Sequence, residues 1–255
     1  MKFTTAVHTD VGIRKKTNQD SVLIMECETD YGHAILSIVC DGMGGLSKGE
    51  LASSEIILAF KKWFEEDFRY LIGPVIRSDA IFGSWNAVVQ TINQKIGDYG
   101  NRMNTKLGST LTALLIGADQ YFIMNVGDSR VYKISDAITQ ITKDQTFIQR
   151  EMDLGRLTRE QALVHPNRNV LLQCIGASDR VIPDTYIGTV KSGELFLICS
   201  DGFRHLITPE EFFQTLHHSK MVSEEIMRNA LVRLTELNKA RQEEDNISAV
   251  IVRSD

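Results

Sequence analysis

Short runs in which apolar residues alternate with small or polar ones dominate the chain: "FTTAVHT", "SVLIMEC", "HAILSIVC", "STLTALLIG", "QYFIMNVG", "SRVYKIS", "AITQIT", "TYIGTV", "ELFLICS" and "NISAVIV". A two-residue period of this kind predicts β-strands with one or both faces buried. Helical spacing replaces it at about 48–66, 79–103, 209–217 and 223–240. In the first of these, Leu51, Ile56, Ala59, Phe60, Trp63 and Phe64 recur along one helical face, and that stripe, with Phe68, predicts core packing. Turn signals in "TDYG", "GADQ" and "VGDSR" predict hairpins and hence antiparallel pairing. Many antiparallel strands with a few long helices predict an α+β fold, a β-sandwich covered by helices. Residues 143–180 differ, being polar, mixed and turn-rich, with two short helical pieces at most. Such a segment predicts a surface excursion, where loops carry function. No repeat, low-complexity tract or Pro/Ser-rich linker divides the chain, so residues 1–255 read as one domain.

Composition narrows the classes open to such a fold. With 255 residues and 43% hydrophobic content a substantial core is within reach. A net charge of −5 argues against non-specific nucleic-acid binding, leaving "RKK" at 14–16 as the one basic cluster of interest. For Lys16 a solvated strand end is the plain reading. No apolar stretch reaches the ~18 residues of a membrane span, and "MKFTTAVHTD" lacks the apolar centre of a signal peptide. Cys27, Cys40, Cys174 and Cys199 form no CxxC pair, and three lie in or beside apolar runs, which predicts reduced thiols. The expectation is a cytoplasmic protein without nucleic-acid or membrane partners.

The stretch "CDGMGGLSKGELAS" (40–53) delivers one aspartate, Asp41, from an apolar run into a loop with glycines at 42, 44, 45 and 49. A plain turn needs one or two glycines; four suggest backbone lying close to a metal, a phosphate or another chain segment. Asp20 opens "SVLIMEC" and Asp41 closes "HAILSIVC", with the midpoint inside "TDYG". A regular hairpin folded there places the two carboxylates nearly opposite each other at one edge. Asp201 follows "ELFLICS" and Asp245 precedes "NISAVIV", so antiparallel pairing of those strands brings a second pair to an edge. Asp128 sits in the turn "VGDSR". Aspartate is common in turns because its side chain bonds nearby amides, and that reading stays open for each residue taken singly. If the pairs meet, carboxylates about 4 Å apart repel by roughly 4 kcal/mol at an effective dielectric of about 20. Converging acids therefore call for protons or cations, and hard oxygen donors suit Mg²⁺ or Mn²⁺ better than zinc. Gly42 would offer its carbonyl without a side chain in the way.

These residues also carry a resemblance. "TDVGIRKKTNQDS", "DGMGGLSKGELAS", "LGST", "NVGDSRVY", "SDG" and "DNIS" stand in the order seen in metal-dependent, type-2C-like serine/threonine protein phosphatases of the compact bacterial form. The resemblance spans about residues 6–252. It implies an α-β-β-α sandwich with metals in a cleft at one edge, and a variable flap at 143–180. By the same resemblance Asp41 bridges two metals, the Gly42 carbonyl binds one, and Asp201 and Asp245 bind the other. Asp20 holds metal-bound water on the Gly42 side, and Asp128 with Asp201 holds a third, weaker ion. The implied chemistry is attack by water made nucleophilic between two cations, which also neutralise the phosphoryl oxygens. Ser129 and Ser200 lack a GxSxG elbow and read as structural.

Departures from the family lie in the substrate grip. The arginine expected three residues before the asparagine of "NQD" is Lys15, with Arg14 one residue earlier. Lysine supplies charge without a bidentate fork, and spacing favours Lys15 over Arg14 as the phosphate-binding cation. Gln19 replaces a common glutamate, and Met43 stands where many eukaryotic members have a histidine, which leaves leaving-group protonation to water. His8, His165, His205, His217 and His218 show no ligand spacing, and "GMGGLSKGE" matches no nucleotide-binding loop. The expected function is a Mn²⁺/Mg²⁺-dependent phosphoprotein phosphatase opposing a kinase. Two other readings stay open, a phosphatase-like module that binds phosphoproteins without turnover and a small-molecule phosphoesterase.

Overall fold

Each alternating run becomes a strand, the central ones buried on both faces and the edge strands at Ile138–Gln140 and Asp184–Thr189 largely exposed. The computed structural model describes residues 1–44 and 48–255; Gly45 of the glycine-rich loop lies outside them. One five-stranded sheet has the order β1 (Phe3–Asp10), β12 (Ile247–Ser254), β11 (Leu195–Cys199), β8 (Arg130–Ile134), β9 (Ile138–Gln140). The second runs β10 (Asp184–Thr189), β7 (Gln120–Val126), β6 (Leu111–Gly117), β3 (Gly32–Cys40), β2 (Ser21–Thr29). All of these pairings are antiparallel. The sandwich of two antiparallel sheets flanked by helices is thus the expected α+β class.

Period-two alternation sorts side chains between layers. On β3, Ile35 and Val39 enter the core between the sheets, together with Val131, Phe196, Ile198, Val250 and Val252. Ala34, Leu36, Ile38 and Cys40 face the other way, into a core closed by two long helices. These helices are α1 (Gly49–Glu66) and α2 (Ser78–Met103). Trp85 of α2 meets Phe60 and Trp63 of α1 edge-on, with ring centroids 5.7 and 5.5 Å away. The aromatic stripe is therefore core, as its spacing predicted, and truncating Trp85 to alanine should cost about 3–5 kcal/mol. The outer face of the first sheet buries Leu197, Cys199, Ala249 and Ile251 beneath C-terminal helices.

The segment after β9 carries two short helices, α3 (Phe147–Asp153) and α4 (Arg159–Leu163), the two pieces expected of 143–180. Beyond β11 come α5 (Asp201–Arg204), α6 (Pro209–Thr215) and α7 (Glu224–Ala240). Three features were not expected, a 3₁₀ turn at Phe68–Tyr70, the four-residue α5 and a ribbon of β4 (Gly42–Gly44) with β5 (Leu107–Ser109). One turn needs correction. "TDYG" and "GADQ" close hairpins, but "VGDSR" joins β7 to β8, which lie in different sheets. Gly127 at φ +104° turns the chain there, and its backbone rests against the Thr110 side chain. Local turn chemistry is the same for a hairpin and a change of sheet, which is why the sequence does not separate them. Among the described residues all four cysteines are free, and no helix is long and apolar enough to cross a membrane.

Candidate metal centre

The ends of β3, β7 and β11 and the beginnings of β2 and β12 meet at one edge of the sandwich, and each carries an acid. Ser21 pairs with Cys40 on the β2–β3 hairpin, so Asp20 and Asp41 lie one register step beyond the last pair, nearly opposite. β11 and β12 are antiparallel neighbours, with Cys199 facing Ala249. Asp201 begins α5 directly after β11, and Asp245 lies two residues before β12.

Backbone contacts hold these positions tightly. The Asp41 amide donates to Thr110 Oγ1 at 2.9 Å, and its carbonyl accepts from Thr110 N and Ser109 Oγ at 2.9 Å each. Gly42 N donates to the Gln19 carbonyl at 3.2 Å. A Cβ at Gly42 would stand 2.3 Å from the Gly49 carbonyl oxygen and 2.4 Å from that of Gln19. The glycines at 42 and 49 therefore let the Asp41 loop, the start of α1 and the segment before β2 lie backbone to backbone. On the other sheet a Cβ at Gly202 would come 2.2 Å from the Asn246 carbonyl oxygen.

The five acids act on one another. Burial foremost, then the charges of Asp20, Asp201, Asp245 and Asp128, drives the Asp41 carboxyl well above the usual carboxylate range. Burial likewise pushes Asp20 up to about 7; the Ser248 and Ser200 hydroxyls pull it down while Asp201 and Asp245 push it further up. Neither hydroxyl closes a hydrogen bond of good geometry, and both Asp20 oxygens and Asp201 Oδ1 are buried without a partner. Orphaned carboxylate oxygens are costly, and natural structures keep few of them. Among the described residues no three acids are drawn into one ready coordination shell; mutual repulsion opposes that, and divalent cations offset it. An all-oxygen donor set with unmet acceptors fits Mg²⁺ or Mn²⁺.

The two candidate cations separate. The loop between β1 and β2 is pinned by Asn246, whose Nδ2 donates to the carbonyls of Val11 and Thr17 at 2.9 and 3.2 Å and whose Oδ1 accepts from Gln19 N at 2.9 Å. Lys15 Nζ consequently lies 2.9 Å from Asp245 Oδ1. Burial lowers its pKa, but the Asp245 hydrogen bond and the charges of Asp245, Asp41 and Asp201 outweigh that and hold it above the usual value. Arg14 points elsewhere, to Glu244 at 2.9 Å, and is 69% exposed. Ser129 and Ser200 are fully buried within hydroxyl and backbone bonds, in keeping with structural roles.

Sequence reasoning missed the groups behind the acids. His205 Nε2 lies 3.4 Å from Asp201 Oδ2, and its Nδ1 3.5 Å from Glu243 Oε2. Glu243 Oε1 in turn accepts from the amides of Glu244 and Asp245 at 2.9 and 3.1 Å. Arg204 Nη2 donates to the Asp128 carbonyl at 2.9 Å and lies 3.4 Å from both Asp128 Oδ2 and Asp144 Oδ2. Arg130 grips Asp144 with Nε and Nη2, each at 2.7 Å. The i, i+4 step from Asp201 to His205 was the one signal available in the sequence.

A family model described as Protein phosphatase 2C matches residues 12–236. Serine/threonine phosphatase stp of Listeria monocytogenes is 29% identical over 251 residues, covering 97% of this chain and 94% of that protein. The crystal structure of the Mycobacterium tuberculosis serine/threonine phosphatase PstP/Ppp superposes with a TM-score of 0.82 at 29% identity, over 99% of each chain. A structure of the PstP catalytic domain in complex with two manganese ions superposes with a TM-score of 0.80 at 28% identity, again over 99% of each chain.

Proposed function

The chain belongs to the protein phosphatase 2C family and is a metal-dependent serine/threonine phosphatase, and on that premise we propose which of its residues do the work. Asp41, with the Gly42 carbonyl, Asp20, Asp201 and Asp245, would hold two Mn²⁺ or Mg²⁺ ions. The observation that carries this is the set of buried, unpartnered oxygens on Asp20 and Asp201 around an Asp41 whose charge the fold strongly disfavours. Two such ions, when bound, supply Lewis acidity that lowers the pKa of a water and neutralises phosphoryl charge. Asp20 and Asp201 accept hydrogen bonds from water and so orient it. Lys15 meets the phosphate dianion as a point charge, exchanging its contact with Asp245 for one with substrate. Asn246 and the close pass of Gly12 under Asp245 keep the Lys15 loop in place; a Cβ at Gly12 would lie 2.3 Å from the Asp245 carbonyl oxygen.

Residues 1–255 act as one catalytic domain with 143–180 as its flap, and the substrates are phosphoproteins made by a serine/threonine kinase in the cytoplasm. Free cysteines and the absence of a membrane-crossing helix among the described residues support that location. The test is hydrolysis of a phosphothreonine peptide panel with Mn²⁺ and with chelator. Release of phosphate with Mn²⁺, abolished by chelator, is expected. Peptide binding without phosphate release would turn the reading to a phosphoprotein-binding module, and activity restricted to small phosphate esters to a metabolic phosphoesterase.

A further inference from the structure

Asp128 differs from Asp20 and Asp41 in having a buried cation built into the fold beside it. Arg204 reaches it from α5, three residues past Asp201, with a side chain only 9% exposed. A single guanidinium nitrogen contacts the Asp128 carbonyl at 2.9 Å, the Asp128 carboxylate at 3.4 Å and the Asp144 carboxylate at 3.4 Å. Asp144 is itself held bidentately by Arg130, whose Nη1 also donates to the Tyr132 hydroxyl at 2.9 Å. Two carboxylates and two guanidiniums thus form a buried, charge-balanced quartet. The backbone just before Asp128 is pinned, since Gly127 N donates to Gln145 Oε1 at 2.9 Å and Gln145 N to the Gly127 carbonyl at 2.9 Å.

We propose that Arg204 is the resident counter-cation of Asp128, and that it closes in this chain the third, weaker metal position expected at Asp128 and Asp201, leaving a centre of two ions. The inference rests on the two-metal reading above. A divalent ion between Asp128 and Asp201 has to enter beside a buried guanidinium that is fixed on the same short helix as Asp201. Like charges repel strongly where water is excluded, and arginine cannot shed its proton to relieve the conflict. Lys15 offers a useful contrast. It also touches an acid of the cleft, Asp245, but it is 41% exposed on a loop and holds that acid by one bond. An ammonium so placed is free to yield to an incoming ion or phosphate. Arg204 is buried, with Nη2 at 2.9 Å from the Asp128 carbonyl and 3.4 Å from each of two carboxylates and with Nε enclosed without a partner, so it has no water to retreat into.

Equilibrium dialysis of the full chain against millimolar Mn²⁺, read as metal per chain, tests this without relying on activity. Wild type should bind two equivalents, and Asp128→Asn should still bind two. Arg204→Lys, which keeps the charge, should also bind two. Arg204→Gln should gain a third equivalent that disappears in the Arg204→Gln/Asp128→Asn double variant. Three equivalents in wild type falling to two in Asp128→Asn would overturn the proposal, as would a folded Arg204→Gln that binds no third ion. Should Arg204→Gln fail to fold, the wild-type and Asp128→Asn counts decide alone. Fewer than two ions on wild type would instead remove the two-metal reading, and this inference with it.

Discussion

Two ends of the same cleft bury acids in opposite ways. At the β2–β3 end, both Asp20 oxygens are buried without a partner, and Asp41, raised by burial and by its acidic neighbours, has no cation or strong donor on its side chain. At the β7–β8 end, burial and the charge of Asp201 push Asp128 up to about 7 as well, but it shares the quartet of Arg204, Asp144 and Arg130, and the Arg204 charge pulls the other way. Folding spends stability on the first arrangement and recovers it only when something positive arrives. The second carries its own counter-cations. A buried acid without a partner is thus the mark of a binding role, whereas a buried acid with one is first a part of the scaffold.

That contrast predicts unequal mutational effects. Asp41→Asn should lower kcat on the order of 10³-fold or more and cut Mn²⁺ affinity, while Asp128→Asn should leave turnover within about tenfold. Metal-free Asp41→Asn should melt a few degrees above wild type, since it deletes a repelled charge and no apolar packing. Steady-state kinetics and thermal melts on the two variants check this; equal losses in both would erase the distinction between the two ends.

A middle-sized effect concerns Lys15 and Arg14. Lys15→Ala should raise KM for a phosphopeptide about tenfold with a smaller change in kcat, Arg14→Ala should change it less than about twofold, and Lys15→Arg should retain or improve binding. A silent Lys15→Ala beside a strong Arg14→Ala effect would hand the phosphate role to Arg14.

The smallest effect is in stability against pH. Asp20 and Asp128 are each raised to about 7 in the fold from an ordinary 3.8, so the unfolded chain loses these protons first. Stability of the chelated protein therefore falls as pH rises through that window and levels off above about 7. Acids held low, such as Glu211 at about 2 through its Arg241 hydrogen bond, are ionised in both states above pH ~5 and leave this slope alone. Melts of chelated protein should be several degrees lower at about pH 8 than at about pH 5, with Mn²⁺ restoring more at the higher pH. A flat profile would mean that neither acid is strained, and a slope that survives in Asp20→Asn would place the strain at Asp128.

What the sequence revealed and what it hid follow from range. The Asp20–Asp41 alignment was legible because one hairpin of strict period sets it by counting from the turn. The strand runs and the four long helical segments were legible for the same local reason. The β4–β5 ribbon was not, because three residues rich in glycine carry no alternation to count. Nor was the quartet, since Arg130, Asp144 and Arg204 come from β8, the segment leading into α3, and a four-residue helix. Their meeting depends on β8 lying beside β11, with Arg130 opposite Cys199, and no local pattern states which strands of a sheet are neighbours.

The position of β12 has a consequence for how the enzyme is made. This strand lies between β1 and β11, so the first and last strands of the fold are partners, and the Thr9 and Ser248 hydroxyls meet at 2.8 Å across 239 positions. Closing so long a loop is slow in any folding reaction. A nascent polypeptide translated through Thr189 already owns every strand of the β10–β7–β6–β3–β2 sheet, along with Asp20, Asp41 and Asp128. It still lacks Asp201 and Asp245, and β1 has nothing to pair with. If Asp201 and Asp245 hold the metals as proposed, phosphate removal waits until the last strand slots between its neighbours, and an unfinished translation product is silent toward phosphoproteins.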